Sequence, residues 1–128
     1  ARLHGDTVAK DADIGAGILL HDRRDRFLLA ERQDGRGFVP PGGLVDDGEP
    51  YIHAALRELA EELGIDLEER DLRLLGVYPT IGKNGTPAVS VIFHAEIPSD
   101  QSTTVDPFEV AGIRWFTSDE LGPNVIPF

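Results

Sequence analysis

The segment that most constrains this chain covers residues 43–65, where a polar loop leads into one well-delimited helix. Pro50 suits the first position of a helix, and Gly64 suits the left-handed position that follows a helix end. These two residues predict a helix over residues 50–63. Within it, three carboxylates lie so close together that they repel one another: Glu58, Glu61 and Glu62. A helix with no task beyond stability would mix lysines among these positions, so the cluster requires an explanation.

The three glutamates lie beside the apolar stripe of the helix rather than opposite to it. At about 100° per residue they occupy an arc of about 100°. An acidic stripe in that position borders the sheet and can face a cleft. Coordination of Mg²⁺ or Mn²⁺, which prefer oxygen ligands, would reverse the sign of the repulsion. The alternative is a solvated acidic face, which helices commonly carry.

The residues around the helix start support a ligand site. Gly42 and Gly43 allow backbone groups to approach a ligand closely. Arg57 lies beside Glu61 on the helix, and it can also reach back to Glu49. We expect such a pair to clamp the loop onto the helix and to orient the glutamates. The alternative is an ordinary surface ion pair.

The rest of the chain predicts strands and turns. Short apolar or alternating runs predict five strands: residues 14–20, 27–32, 72–77, 88–97 and 110–116. Residues 38–43 hold two prolines and two glycines, which predict irregular backbone. Thr117 or Ser118 can cap a short helix. Strands around one main helix predict an α/β layered fold with a mixed sheet, since helical segments are too few for a doubly wound parallel sheet.

Composition excludes several classes of function. A chain of 128 residues predicts one domain over residues 1–128. The net charge of −11 argues against a broad nucleic-acid footprint and an anionic membrane surface, so we expect neither polymeric nucleic acid nor a membrane as partner. The absence of cysteine excludes thiolate chemistry, and since no signal peptide is visible we expect a cytoplasmic protein. The absence of methionine indicates that Ala1 is not the translated start.

The acids and their spacing resemble the signature of the Nudix hydrolase family. That pattern is Gly, five residues, Glu, seven residues, Arg-Glu, an aliphatic residue, any residue, Glu-Glu, any residue, Gly and an aliphatic residue. The chain fills every defined position: Gly43, Glu49, Arg57, Glu58, Leu59, Glu61, Glu62, Gly64 and Ile65. Residues 38–43 also resemble the aromatic-x-x-Pro-Gly-Gly segment that leads into the family signature, and residues 109–115 resemble the stretch that follows it.

The resemblance implies an α/β/α sandwich with a mixed β-sheet. It also implies hydrolysis of a nucleoside diphosphate linked to another moiety, with Mg²⁺ or Mn²⁺ as cofactor. The implied metal ligands are three side chains and one backbone carbonyl: Glu58, Glu61, Glu62 and Gly43. Arg57 and Glu49 would form a structural clamp.

Hydrolysis requires a base that takes a proton from the attacking water. Among the acids of the signature, Glu58 and Glu61 are favoured for this role. Glu109 competes with them, because some family members place a further glutamate for metal or base at this distance before Trp115. The alternative for Glu109 is a solvated loop acid.

Loops outside the signature determine the substrate, and four residues are candidates for contacting it: Arg32, Phe38, Lys83 and His94. Phe38 can stack on a base or anchor its loop in the core. Arg32 can pair with phosphate or end a strand. His94 can contact substrate or serve as a hydrogen-bonded sheet residue.

The short chain resembles the nucleoside triphosphate pyrophosphohydrolases of the family, including those acting on oxidised nucleotides. The partner would be a nucleotide-type small molecule, and the resemblance also allows a homodimer. An ADP-ribose or nucleotide-sugar pyrophosphatase is the alternative enzyme. A non-catalytic nucleotide sensor and an inert acidic domain are the alternatives without turnover, and the inert domain predicts no saturable metal site.

Overall fold

The structure, a computed structural model, describes residues 13–82 and 85–121. Its elements, in chain order, are β1 (Asp13–His21), β2 (Phe27–Glu31), β3 (Phe38–Val39), β4 (Gly42–Leu44), α1 (Tyr51–Leu63), β5 (Arg73–Ile81), β6 (Pro87–Glu96) and β7 (Gly112–Phe116). Two short 3₁₀ helices are also present, at Glu69–Asp71 and Ser118–Glu120. No helix within the described ranges is both long and apolar enough to span a membrane.

All seven described strands belong to one mixed sheet. The main path has the order β3-β2-β1-β6-β5, in which β1 and β6 are parallel and their neighbours are antiparallel. β4 pairs with residues 15–17 of β1, whereas β2 pairs with only the last two residues of β1, Leu20 and His21. β4 and β2 therefore share one edge of β1, and β7 pairs with β2 beyond them.

The alternation along β1 and β6 divides the core into two clusters. Ile18 and Leu20 of β1 pack with α1 on one face, together with Phe93 of β6. Leu19 and Ile92 point to the opposite face, where Phe116 completes a smaller cluster. Side chains that alternate along a strand reach both faces of the sheet, so the apolar runs predicted as strands fill both clusters.

The helix ends at Leu63 as predicted and begins one residue later than predicted, at Tyr51. Pro50 has extended backbone before the first turn, and Gly64 has a φ of 66° after the last. The amide of Gly64 donates to the carbonyl of Ala60 at 3.0 Å, which closes the helix. The apolar stripe is buried against the sheet through four residues: Ala54, Ala55, Leu59 and Leu63.

One local prediction was wrong. Residues 38–43 were expected to be irregular, but they contain β3 and the first part of β4. Pro40 and Pro41 lie between these two strands, so the prolines interrupt the ladder without preventing it. β4 approaches β1 so closely that a Cβ on Gly42 would lie 2.3 Å from the carbonyl oxygen of Ala16. Glycine therefore permits a strand at this position.

The predicted α/β fold with a mixed sheet is confirmed. The described residues contain one α-helix, on one face of the sheet. Thr117 caps the 3₁₀ helix after β7, as predicted, through a capping box with Glu120. β5 extends to Ile81, further than the prediction of residues 72–77, because its pairing with β6 continues to Pro87.

Candidate active site

The acidic helix meets β4 at Gly43. A Cβ at this position would lie 2.5 Å from Cδ of Glu58 and 2.6 and 2.7 Å from its two oxygens. Gly43 is not among the described residues with a positive φ, so the requirement for glycine is steric rather than conformational. The missing side chain of Gly43 thus makes room for the carboxylate of Glu58.

Glu62 is the most deeply buried of the three glutamates, with 6% of its surface exposed. The backbone amide of Gly42 donates to its Oε1 at 3.0 Å. Burial raises the pKa of Glu62 to about 8, and the charges of Glu58 and Glu109 act in the same direction. The single amide bond opposes this shift but does not cancel it.

Glu58 and Glu61 differ in exposure although they share the same arc. The side chain of Glu58 is 14% exposed, and burial raises its pKa despite the opposing charge of Arg57. The side chain of Glu61 is 54% exposed. The prediction of a stripe that borders the sheet is therefore confirmed, with Glu62 innermost and Glu61 outermost.

Arg57 connects the loop to the acids. Its Nε and Nη2 donate to the two oxygens of Glu49 at 2.8 and 3.0 Å, which is the expected pair. Its Nη1 donates to Glu58 at 2.9 Å and to Glu61 at 3.2 Å. Nη2 also donates to the carbonyl of Leu44 at 3.2 Å. One guanidinium thus contacts the loop, β4 and two of the acids, unlike an isolated surface pair.

Arg57 and Glu49 each stabilise the charged form of the other. Hydrogen bonds from Arg57 lower the pKa of Glu49 to about 2, and the amide of Asp46 contributes by donating to Oε1 of Glu49 at 3.0 Å. In return, Glu49 raises the pKa of Arg57. Asp46, which the sequence did not indicate as a member of the clamp, has its carboxylate 3.6 Å from Arg57. An acid three residues before Glu49 was the only available signal.

A turn distant in sequence brings Glu109 to the same place. The amide of Asp106 donates to the carbonyl of Glu62 at 2.9 Å, and the amide of Thr104 donates to the carbonyl of Leu63 at 2.8 Å. These bonds attach the segment before β7 to the end of α1. Glu109 itself is exposed, yet its charge contributes to the raised pKa of both Glu58 and Glu62.

Three of the four candidate substrate residues lie in the described part of the chain, and their contacts are with groups other than the three glutamates of α1. Arg32 forms a bidentate pair with Asp34 at the end of β2. Phe38 packs against Phe116, with ring centroids 5.0 Å apart, which is the core-anchor arrangement. His94 pairs in register with Leu19, so it lies on the sheet face opposite to α1. Lys83 lies outside the described residues.

The site's donors fit a hard divalent cation. Among residues 13–82 and 85–121, no three His, Cys, Asp or Glu side chains converge as a complete cage. Mg²⁺ typically takes only one or two carboxylates and completes its octahedron with waters and substrate phosphates. Two glutamates withdrawn from water beside a glycine offer such a partial set. A buried carboxylate with one hydrogen-bond donor also lacks compensation that a cation would provide.

Comparison with known proteins agrees with the geometry. The NUDIX domain family model matches residues 12–127. The chain belongs to the NUDIX family. The predicted resemblance is thereby confirmed, and the acids at Gly43 lie in the signature that carried it.

Two curated relatives and one solved structure illustrate the similarity. The chain is 33% identical to m7GpppN-mRNA hydrolase NUDT17 of Danio rerio, over 91% of this chain and 45% of that protein. It is 34% identical to NAD-capped RNA hydrolase NudC of Mycobacterium bovis, over 80% of this chain and 32% of that protein. A MutT NUDIX hydrolase from Burkholderia pseudomallei superposes with a TM-score of 0.76 and 32% identity, over 90% of each chain. This NUDIX chain thus spans less than half the length of these curated relatives.

Proposed function

We propose that this NUDIX domain hydrolyses a phosphoanhydride bond in a nucleoside diphosphate linked to another group, with a nucleoside triphosphate as the preferred substrate. One observation carries the proposal: two carboxylates are withdrawn from water where α1 meets β4, Glu62 against the amide of Gly42 and Glu58 against Gly43. Solvated like charges on a helix cost only about 0.2–0.5 kcal/mol per pair. Ionising Glu62 costs more, because its pKa lies near 8 and one pKa unit corresponds to about 1.4 kcal/mol. A merely solvated acidic face does not account for this carboxylate.

We assign the metal site to the three glutamates of α1 together with Gly43. Its members are Glu58, Glu61, Glu62 and the carbonyl of Gly43, and the expected cation is Mg²⁺ or Mn²⁺. Such a cation, when bound, supplies neutralisation of phosphate charge and acidification of water. Since the site is acidic, binding of a polyphosphate and binding of the cation should be coupled.

The remaining residues of the site position groups and transfer protons. Arg57 and Glu49 hold the loop onto α1, so the carboxylate of Glu58 stays beside Gly43. Glu58 or Glu61 would accept the proton of the water that attacks phosphorus. Glu109 competes for this role, because it is exposed and its charge reaches Glu58 and Glu62.

A second candidate substrate is the capped 5′ end of an RNA. Two relatives that are 33% and 34% identical to this chain are named for capped RNA. Their names run against our expectation, based on a net charge of −11, that no polymeric nucleic acid is a partner. A cap is itself a dinucleotide joined by phosphoanhydride bonds. Cleavage of a cap therefore requires no broad basic footprint along the RNA.

A substrate panel with Mg²⁺ and with Mn²⁺ tests the proposal. It includes dNTPs, oxidised dGTP, ADP-ribose, nucleotide sugars, dinucleoside polyphosphates, NAD and short RNAs carrying m7G or NAD caps, with products separated by chromatography. We expect metal-dependent release of a nucleoside monophosphate and pyrophosphate from a triphosphate. Preferential cleavage of the capped RNAs would select the second candidate. No metal-dependent cleavage of any compound would contradict the proposed activity.

Substitution of the innermost acid tests the assignment of the site. We expect Glu62→Gln to lower kcat at least about 100-fold while the fold survives, because glutamine keeps the shape but loses the anionic ligand. Circular dichroism checks the fold, and Glu69→Gln is the control, since this exposed acid pairs with His53 away from the site. A wild-type kcat for Glu62→Gln at saturating Mg²⁺ would refute the role of Glu62.

A further inference from the structure

Two histidines meet at the ends of β1 and β6, away from the acids of α1. His21 ends β1, and His94 lies near the end of β6. Both line an open cavity of about 240 Å³, together with Arg70, Arg73, Asp71 and Glu96. No role in the proposed hydrolysis draws on this cavity.

The two imidazoles meet across the central pair of parallel strands. Nε2 of His21 lies 3.1 Å from Nδ1 of His94, and the ring centroids are 5.3 Å apart. In the register of β1 and β6, His94 is opposite Leu19 and His21 is opposite Glu96. Since side chains two residues apart on a strand share a face, His94 and Glu96 flank His21 on one face.

This spacing matches two ligands of one metal ion. With zinc–nitrogen bonds of about 2.0–2.1 Å and tetrahedral angles, two imidazole nitrogens lie about 3.3 Å apart. Neutral imidazole suits zinc, copper and nickel better than magnesium. We propose that His21 and His94 form a two-histidine binding site for a divalent transition-metal ion, with Zn²⁺ as the expected occupant.

The proposed site is separate from the acids of α1. Gly43, which contacts Glu58, pairs with Ala16 of β1, whereas His94 pairs with Leu19. Three positions along a strand correspond to about 10 Å. The histidines also lie on the opposite face from α1. An ion held by His21 and His94 therefore cannot share ligands with the acidic helix.

The charges around the cavity are balanced rather than purely cationic. Arg70 pairs with Glu68 at 3.0 Å, and Nη1 of Arg73 donates to the carbonyls of Arg70 and Leu72. The carboxylate of Glu96 makes no hydrogen bond or ion pair with any described residue, so its charge is available to offset a bound cation. Three ligands do not converge within the described ranges, and waters would complete the coordination.

The competing account is a simple hydrogen bond between two histidines, since 3.1 Å also suits that contact. Electron paramagnetic resonance with one equivalent of Cu²⁺ distinguishes the two accounts, because imidazole nitrogens couple to copper and carboxylate oxygens do not. The wild-type protein is used with excess Mg²⁺ present to occupy the acids. We expect the signal of two imidazole ligands. Absence of imidazole coupling would overturn the proposal.

Variants locate the ligands. We expect His21→Gln and His94→Gln each to weaken Zn²⁺ binding at least about tenfold by calorimetry, and to remove the two-imidazole signal. His53→Gln is the matched control, because it removes a half-exposed histidine that pairs with Glu69. If the two-imidazole signal persisted in folded His21→Gln and His94→Gln proteins, other histidines would be responsible and the proposal would be wrong. Absence of imidazole coupling in the copper spectrum of the wild-type protein would overturn the proposal even if a variant fails to fold.

Discussion

Gly42 and Gly43 are adjacent in the chain but are glycine for different reasons. A side chain on Gly42 would collide with the backbone of β1, 2.3 Å from the carbonyl oxygen of Ala16. A side chain on Gly43 would instead meet the carboxylate of Glu58. Backbone in a sheet cannot move without breaking the ladder, whereas the end of a glutamate can swing away. Gly42 is therefore required for the packing of β4 against β1, and Gly43 is required for the position of the Glu58 carboxylate.

This difference predicts separable defects. We expect Gly43→Ala to remain folded but to lose at least about tenfold in kcat, because Glu58 must leave its place. We expect Gly42→Ala to unfold at lower temperature, because the new Cβ overlaps β1. Thermal melts and steady-state kinetics of both variants measure the two effects.

The matched control is Gly112→Ala, whose added Cβ would make an ordinary contact 3.7 Å from Glu31. It should resemble the wild-type protein in both assays. Wild-type turnover of Gly43→Ala would show that the position of Glu58 is unimportant.

Glu62 predicts an unusual pH dependence in metal-free protein. Its pKa is about 8 when folded and near 4.5 when unfolded, so the folded state retains a proton that the unfolded state has lost. Its contribution therefore makes the protein less stable as pH rises from about 4.5 to about 8. Glutamine cannot ionise. In EDTA, we expect the free energy of unfolding of Glu62→Gln, relative to wild type, to increase by at least about 2 kcal/mol as pH rises from about 4.5 to about 8.

Urea denaturation across this pH range measures the difference between the two proteins. Titratable groups that behave alike in both proteins make no contribution to the difference between their free energies of unfolding. Added Mn²⁺ should stabilise wild type and leave Glu62→Gln nearly unchanged, because the variant lacks the anionic ligand. A pH-independent difference in EDTA would show that Glu62 is ionised without a cation.

At the scale of elements, the loop before α1 depends on the helix for its conformation. Arg57 contacts Glu49, Leu44 and two acids of its own helix. An isolated helix would leave this guanidinium in solvent, where an ion pair contributes little. Bidentate geometry and several partners make the clamp more than a surface pair. The local spacing of Arg57 and Glu49 was enough to predict the contact, since only seven residues lie between them.

The clamp predicts a loss of stability in acid. The pKa of Glu49 is about 2 when folded and near 4.5 when unfolded, so its stabilising effect is present above about pH 4.5 and is lost as pH falls towards 2. Glu49→Gln should therefore be less stable than wild type at neutral pH, and the difference should shrink below about pH 4. Urea denaturation at several pH values measures this.

Asp100→Asn serves as the control for a surface acid, since Asp100 is exposed and makes no hydrogen bond with any described residue. It should change stability little at any of these pH values. If Glu49→Gln were less stable than wild type by the same amount from neutral to acid pH, the charge of Glu49 would not contribute to the clamp.

At the scale of the whole molecule, one buried acid joins distant parts of the sheet. Asp22 is 1% exposed and follows β1. Amides of Arg24 and Arg26 donate to it at 2.9 and 3.0 Å, and the hydroxyl of Ser99 donates at 3.0 Å. Burial opposes ionisation, but these bonds outweigh it and lower the pKa of Asp22 to about 2. The turn between β1 and β2 is thereby fastened to the segment after β6.

We expect Asp22→Asn to lower Tm by at least about 5 °C without affecting kcat, because a neutral amide cannot accept all of these bonds and would present donors to Arg26. Calorimetry and kinetics measure the two quantities. Asp25→Asn is the control, since Asp25 is exposed in the same turn and asparagine tolerates its φ of 57°. An equal Tm for Asp22→Asn would contradict the role of this network.

The sequence alone determined the features that depend on neighbours along the chain. The ends of α1 follow from Pro50 and Gly64, because capping acts within one turn. The family signature is a pattern of spacing, so it identified the acids and the clamp without any coordinates. The core strands were predicted from short apolar runs, because a strand that is buried on both faces consists almost entirely of apolar residues.

Only the tertiary structure decided which carboxylate is buried and what lies beside it. Glu58, Glu61 and Glu62 look alike in sequence, yet the approach of β4 and of the turn before Glu109 separates their environments. Both approaches depend on backbone pairing with distant residues. The contact of His21 with His94, which are 73 residues apart, has the same origin. Such contacts depend on strand order and register, and neither can be predicted from the local secondary-structure propensity of the chain.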